Sequence, residues 1–342
     1  MPIIKAGIVG LGRLGSVHAK NIVTKIQDVD LVAACAADNI QLDFAKKSLN
    51  IQNLYSGNEY EKMINEAKLD AVIIASPTPF HPEMIRYAMK KGLHVFCEKP
   101  LGLDIEEVKD IVKLIEGKKK QVFQIGFMRR YDSSYRYAKK MIDEKELGEI
   151  IYIRGYGVDP VTGFENFRKF ATDADSGGIF ADVTIHDIDL IRWFTGQEPI
   201  ETYSIGSLVA APELKEIGEY DTGVSQYKMS NGTIATLLGG RYATHGNQIE
   251  MEIMGTKGWV RIGEHPNLNR VTIFNENGVV EPSINSFEGV FSEAYLTEMI
   301  EFFEHIKNKT QPEVSALDGL RALIIAKASQ KSAETGKLIK ID

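Results

Sequence analysis

Near its N-terminus the chain reads Ile3-Ile4-Lys5-Ala6-Gly7-Ile8-Val9-Gly10-Leu11-Gly12-Arg13-Leu14-Gly15. An apolar run ends at Val9, three glycines follow at G-x-G-x-x-G spacing, and a helical pattern opens near Arg13. Each part has a physical reason. Gly10 permits a tight turn, Gly12 lets the backbone approach a pyrophosphate, and Gly15 lets helix and strand pack closely. Backbone N–H groups at the helix start then face the phosphate charge. Three glycines in a loop arise easily by chance; the strand before them and the helix after them make a dinucleotide the specific reading.

The same grammar repeats downstream. Leu31–Ala36, Ala71–Ala75, His94–Cys97 and Val122–Gly126 read as strands, with helical patterns over Gln41–Ser48, Glu83–Lys91 and Ile105–Gly117. Continuous rather than alternating apolar runs imply strands buried on both faces. An α/β chain of this kind predicts a doubly wound parallel sheet of Rossmann type over residues 1–126. Past residue 127 the pattern changes to consecutive strands: Ile150–Tyr156, Glu201–Ser207, Val224–Met229, Thr233–Leu238, Gln248–Met254, Trp259–Ile262 and Arg270–Phe274. Turns such as Ser230-Asn231-Gly232 and Asn275-Glu276-Asn277-Gly278 punctuate them. Residues 127–342 therefore read as an α+β domain with a large, open, mostly antiparallel sheet. One helix is expected from Asp182 to Phe194, stopped by Gly196, and two close the chain over Ser292–Asn308 and Ala316–Thr335. Met299, Phe302 and Phe303 are expected to pack this second domain, and Phe164–Gly177 reads as a charged loop able to close over a substrate.

The 342 residues exceed one typical domain, and 44% hydrophobic content suffices for two cores, which excludes a disordered chain. Forty Lys and Arg against 47 Asp and Glu give a net charge of −7 with no basic block, which argues against a nucleic-acid partner. No apolar run reaches the ~18 residues a membrane span needs. The N-terminus lacks a signal-peptide pattern. The two cysteines, Cys35 and Cys97, lie in apolar runs and offer neither a disulfide framework nor a zinc site. A cytoplasmic protein with reduced thiols and no metal is expected.

A second stretch narrows the reading. His94-Val95-Phe96-Cys97-Glu98-Lys99-Pro100-Leu101 ends a strand in Glu-Lys-Pro, Ser76-Pro77-Thr78-Pro79-Phe80-His81 follows the preceding strand, and Glu146-Leu147-Gly148-Glu149-Ile150 marks the domain join. Together with the glycine turn, these segments resemble the Gfo/Idh/MocA family of sugar and cyclitol oxidoreductases over nearly the whole chain. The resemblance implies a cis peptide before Pro100 and a nicotinamide dinucleotide bound by Gly10, Gly12, Arg13, Leu14, Gly15, Ser76, Pro77, Thr78, His81, Glu98 and Lys99. The cofactor subtype is set by the end of the second strand. There Ala36 stands where an acid normally binds the adenosine ribose, with Asp38 two residues later. Asp38 either reaches the ribose or caps the next helix. NAD is favoured, with NADP the alternative.

Two further segments, Gly126-Phe127-Met128-Arg129-Arg130-Tyr131-Asp132 and Asp182-Val183-Thr184-Ile185-His186-Asp187-Ile188-Asp189, resemble those of inositol dehydrogenases. Asp182 and His186, four apart, would share one face of the expected helix. A histidine beside a carboxylate suits general-base work near neutral pH. His186 is thus expected to take a hydroxyl proton, Lys99 to hydrogen-bond the same oxygen, and Asp182 to orient them. Arg129, Asp159 and His245 are candidates for binding ring hydroxyls. The chain departs from the myo-inositol dehydrogenase pattern, which tends to carry histidine at Gly157, asparagine at Asp159 and tyrosine near Asn247, so myo- and scyllo-inositol both stand as substrates. Another sugar or polyol, such as glucose, is the alternative within enzymes; a dinucleotide- or sugar-sensing regulator is the alternative outside them. The open sheet and the resemblance imply a homo-oligomer, dimer or tetramer.

Overall fold

The computed structural model describes residues 3–173, 175–263, 267–276 and 278–342. Ala174 of the expected loop and Asn277 of the expected turn lie outside the described residues. The chain divides into two compact units: one comprises the residues up to Tyr131 with Glu293–Arg321, the other Asp132–Ser292 with Ala322–Asp342.

The first unit alternates strand and helix: β1 (Ile4–Val9), α1 (Arg13–Lys25), β2 (Val29–Ala36), α2 (Asn39–Leu49), β3 (Asn53–Ser56), α3 (Tyr60–Glu66), β4 (Ala71–Ile74), α4 (His81–Lys90), β5 (His94–Glu98), α5 (Ile105–Glu116) and β6 (Phe123–Gly126). The strands form one parallel sheet in the order β3-β2-β1-β4-β5-β6. That order is the doubly wound Rossmann arrangement, with its switch point between β1 and β4, where the strand ends collect a ligand. β3 and α3 have no counterpart in the periodicity reading: Asn53-Leu54-Tyr55-Ser56 is an edge strand without a continuous apolar run, and α3 spans only seven residues, too few to show a helical period. Met299, Phe302 and Phe303 join Ile8, Leu31, Ile73 and Phe96 in this unit's core, which corrects their expected place in the second domain. A Phe96–Phe302 ring contact at 5.9 Å makes the packing concrete.

The second unit holds α6 (Ser133–Asp143), β7 (Ile150–Pro160), α7 (Phe164–Asp173), α8 (Ile179–Asp182), α9 (Ile185–Thr195), β8 (Pro199–Ser207), β9 (Thr222–Met229), β10 (Ile234–Ala243), β11 (Gln248–Gly255) and β12 (Trp259–Ile262). Its sheet, completed by Ile339–Lys340, runs β12-β11-β7-β10-β9-β8 and then that last strand. All pairs are antiparallel except β7 with β10, which run parallel. The expected Arg270–Phe274 strand is shifted to Ile273–Asn275 and, among the described residues, pairs only with Gly278–Val280, outside the large sheet. The Phe164–Gly177 loop is in fact largely helix α7, with Phe164 buried against Ala211 and Leu214.

One sheet face is covered by helices. Tyr227 of β9 hydrogen-bonds Ser329 of the helix Ala316–Thr335 at 2.7 Å. On the opposite face the register lines up Trp259, Met254, Tyr152, Ile234 and Lys228 in one row across the strands. The neighbouring row carries Arg154 and Arg261, both paired with Glu252 at 2.7 and 2.6 Å. Trp259, Ile234 and Ile205 are exposed on this face.

Candidate active site

In the first unit the glycine turn has the geometry a dinucleotide requires. Gly10 has φ +88, and a Cβ there would lie 2.4 Å from the Ala75 carbonyl oxygen; one on Gly15 would lie 2.0 Å from that of Gly10. These two glycines are steric necessities of the turn. Gly12 differs, since nothing lies within 4 Å of its Cβ position, so its open side admits a ligand rather than protein. Gly12 caps α1 without a side-chain hydrogen bond, and the first turn carries no acid, which suits a bound pyrophosphate. Arg13 is exposed and Leu14 half-buried beside it. Asp38 caps α2, its Oδ1 accepting from the Ile40 N–H at 2.8 Å.

The other two motif segments meet through His81. Its ring is buried, with Nδ1 2.8 Å from the Pro100 carbonyl and Nε2 2.7 Å from that of Ser76. Burial pushes this imidazole's pKa down, and the two carbonyls oppose the shift. Pro77 precedes a 3-10 turn over Thr78–Phe80 in which Thr78 is buried. The Lys99–Pro100 peptide is cis. Glu98 accepts from the Lys99 N–H at 3.3 Å and is buried with His18 of α1, whose Nε2 lies 2.6 Å from Glu98 Oε1. Glu298 completes this group, its Oε1 3.9 Å from the same nitrogen. The ligand atoms of the three fall within 4.8 Å of one another. The 2.6 Å separation is a hydrogen bond, shorter than the ~3 Å spacing of donors around a metal at ~2.0–2.1 Å. Arg129 is buried in the 3-10 turn Met128–Tyr131 that follows β6.

In the second unit the expected helix from Asp182 to Phe194 is broken. Asp182 ends α8, and His186 is the second residue of α9. The two do not lie four apart on one continuous helix. Between them the Thr184 N–H reaches back to the Ile179 carbonyl at 3.1 Å, one residue further than an α-helical bond. Thr184 is buried against the sheet, where a Cβ on Gly239 would sit 2.4 Å from its Oγ1. A Cβ on Gly223 would likewise press on Phe180 at 2.9 Å. These sheet glycines let the segment bearing Asp182 and His186 lie directly on the strands.

Sequence reading missed Arg241 of β10, which gathers acids from three segments. Its Nη1 donates to Asp182 Oδ2 at 3.0 Å and lies 3.9 Å from Asp159 Oδ2; its Nη2 lies 3.6 Å from Glu219 Oε2. A charged residue just beyond an apolar strand was its only local signal. Burial pushes the Glu219 carboxyl up to about 7 against the pull of Arg241, and the buried Ser176 hydroxyl donates to it. His245 lies in the turn after β10 with Nε2 2.8 Å from Gln248 Oε1. Beside it the Asn247 side-chain carboxamide is buried with no hydrogen-bond partner among the described residues, while its backbone N–H donates to the Ile284 carbonyl at 3.0 Å.

Comparison with known proteins decides the family. Residues 4–127 match the model of the oxidoreductase family's NAD-binding Rossmann fold, and 139–341 that of its C-terminal alpha/beta domain. The chain belongs to the Gfo/Idh/MocA oxidoreductase family. It is similar to scyllo-inositol 2-dehydrogenase (NAD(+)) from Bacillus subtilis, with 33% identity covering 99% of this chain and 96% of that one. Among solved structures, it resembles myo-inositol 2-dehydrogenase from Lactobacillus plantarum, with 58% identity, a TM-score of 0.97 and both chains covered completely. It also resembles scyllo-inositol dehydrogenase from Lactobacillus casei with bound NAD(H) and scyllo-inositol, with 44% identity, a TM-score of 0.94 and 98% of each chain covered. The glycine turn and the cis Lys99–Pro100 segment thus belong to an oxidoreductase with an NAD-binding Rossmann domain.

Proposed function

We propose that the chain is an NAD-dependent inositol 2-dehydrogenase, oxidising a ring secondary alcohol of myo- or scyllo-inositol to an inosose. What carries the reading is full-length relatedness to inositol 2-dehydrogenases of both kinds, joined to the Glu98-Lys99-Pro100 segment. Gly10, Gly12, Arg13, Leu14 and Gly15 hold the dinucleotide's phosphates, and Asp38 reaches the ribose through the oxygen its cap does not use. Ser76, Pro77, Thr78 and Glu98 complete the cofactor side, with His81 fixing the carbonyls of Ser76 and Pro100. Bound there, NAD supplies the hydride acceptor. His186 takes the hydroxyl proton, Lys99 hydrogen-bonds the same oxygen and offsets its developing charge, and Asp182 orients them. Arg129, Asp159 and His245 bind the remaining ring hydroxyls. Buried free thiols at Cys35 and Cys97 suit a reducing cytoplasm.

Initial rates of NADH or NADPH formation with myo-inositol, scyllo-inositol and D-glucose test the reading. Turnover with an inositol and a preference for NAD are expected, and Asp38→Ala should erode that preference about tenfold. Turnover with glucose alone would reassign the substrate; dinucleotide binding without turnover on any polyol would point to a sensing protein.

We further infer a homo-oligomer, dimer or tetramer, paired through the open sheet face that carries Trp259, Ile234 and Ile205. Light scattering should return a multiple of the 38.1 kDa chain mass. A monomeric mass at micromolar concentration would remove the inference.

A further inference from the structure

We propose that Arg241 is a positioning residue for the carboxylate of Asp182, held in place by the Phe167 ring of α7. This rests on the reading of Asp182 as a catalytic group. Asp182 ends a helix of only four residues, so α8 by itself does little to fix the side chain. Arg241 is almost completely buried at 2% exposure, and it grips Asp182 Oδ2 from β10 at 3.0 Å. Its own position is over-determined. The guanidinium carbon lies 3.4 Å from the Phe167 ring centroid, and the Arg241 N–H donates to the Asp221 carbonyl at 3.0 Å.

Arg–carboxylate pairs frequently present the guanidinium fork to one carboxylate in bidentate fashion. Here Nη1 alone makes a hydrogen bond, while Nε and Nη2 have no hydrogen-bond partner among the described residues. A permanently charged group, costly to bury, is committed through one nitrogen to Asp182, with Asp159 and Glu219 further off. Ser176 donates to Glu219 Oε1, the oxygen that does not face the guanidinium. Phe164, three residues before Phe167, packs on Tyr242 at 5.1 Å, so α7 holds the end of β10 at two successive residues. Loosening the clamp would remove this hold on the Asp182 carboxylate, and a misplaced catalytic group costs on the order of 10²-fold in rate.

The test compares Arg241→Ala, Arg241→Lys, Asp182→Asn and the double variant Asp182→Asn/Arg241→Ala in the inositol assay. Arg241→Ala should lower kcat about 10²-fold while KM moves less than about threefold, since the interaction acts in the transition state. Arg241→Lys, which keeps the charge without the planar fork, should recover about tenfold of that loss. If Arg241 acts through Asp182, the double variant is no slower than Asp182→Asn alone. Losses that multiply, or an Arg241→Ala enzyme within about threefold of native kcat, would overturn the proposal. Should Arg241→Ala fail to fold, Arg241→Lys and Phe167→Leu are read by the same kcat-against-KM split, and native kcat in both would overturn it. Full turnover in Asp182→Asn would instead refute the catalytic reading of Asp182, a result visible in that variant alone.

Discussion

Replacing His186 by alanine is expected to lower the rate of NADH formation from inositol by about 10²–10⁴-fold while leaving dinucleotide affinity unchanged. The magnitude follows from the chemistry. A secondary alcohol is far too weak an acid to lose its proton unaided at neutral pH, so removing the base leaves only solvent to accept it. His186 is half-buried in the first turn of α9, on a backbone held by Thr184 against Gly239. Alanine removes the imidazole and leaves that packing in place, so the melting temperature should hardly change. Dinucleotide affinity is spared because, in the proposed reading, the glycine turn and not His186 holds the dinucleotide's phosphates. Fluorescence titration with NADH and a pH–rate profile supply the check. The native profile should fall on the acid side as an imidazole is protonated, and the variant should lack that limb. Native turnover in His186→Ala would remove the residue from the mechanism.

The second large effect concerns stability. His18→Ala is expected to destabilise the first unit by about 3–5 kcal/mol, because it strips a buried carboxylate of its partner. His18 is fully buried, hydrogen-bonded to Glu98, with the Phe96 and Tyr295 rings edge-on at 5.2 and 5.7 Å. Removing it leaves Glu98 beside Glu298 in an apolar core. Burial first, and then the charge of Glu98, hold the Glu298 carboxyl well above the ordinary range, so the folded chain keeps a proton there. The unfolded chain releases that proton near pH ~4.3. Above that pH the native state binds more protons than the unfolded state, so stability falls as pH rises. Glu298→Gln, neutral at every pH, escapes the fall. Its melting temperature should exceed that of the native protein by a margin that grows from about pH 5 to pH 8. A margin independent of pH would refute a protonated Glu298, and denaturant unfolding of His18→Ala at neutral pH measures the first effect.

These two clusters also mark what was legible in the sequence. The strand–glycine–helix order at Val9–Gly15, the continuous apolar runs of β1, β4 and β5, and the Glu98-Lys99-Pro100 strand end are local patterns. They carried the Rossmann domain, the family and the proposed Lys99, and the later run of strands carried the open sheet. The helix around His186 was legible too, but its break at Val183-Thr184 was not. At that break Thr184 packs on a sheet glycine, Gly239, a contact made only in the folded chain.

Periodicity and turn chemistry act over a few residues, and so they determine elements, their order and the fold class from sequence alone. Buried charges obey a different constraint: each must find its partner wherever the chain returns. Arg241 meets Asp182 across 59 residues, and His18 meets Glu98 across 80. Met299, Phe302 and Phe303 join the first unit's core because an apolar helix face packs wherever matching surface is left, a choice their own periodicity does not encode. The parallel pairing of β7 with β10 is likewise a decision of the assembled sheet, since strands well apart in the chain have no turn to dictate their direction.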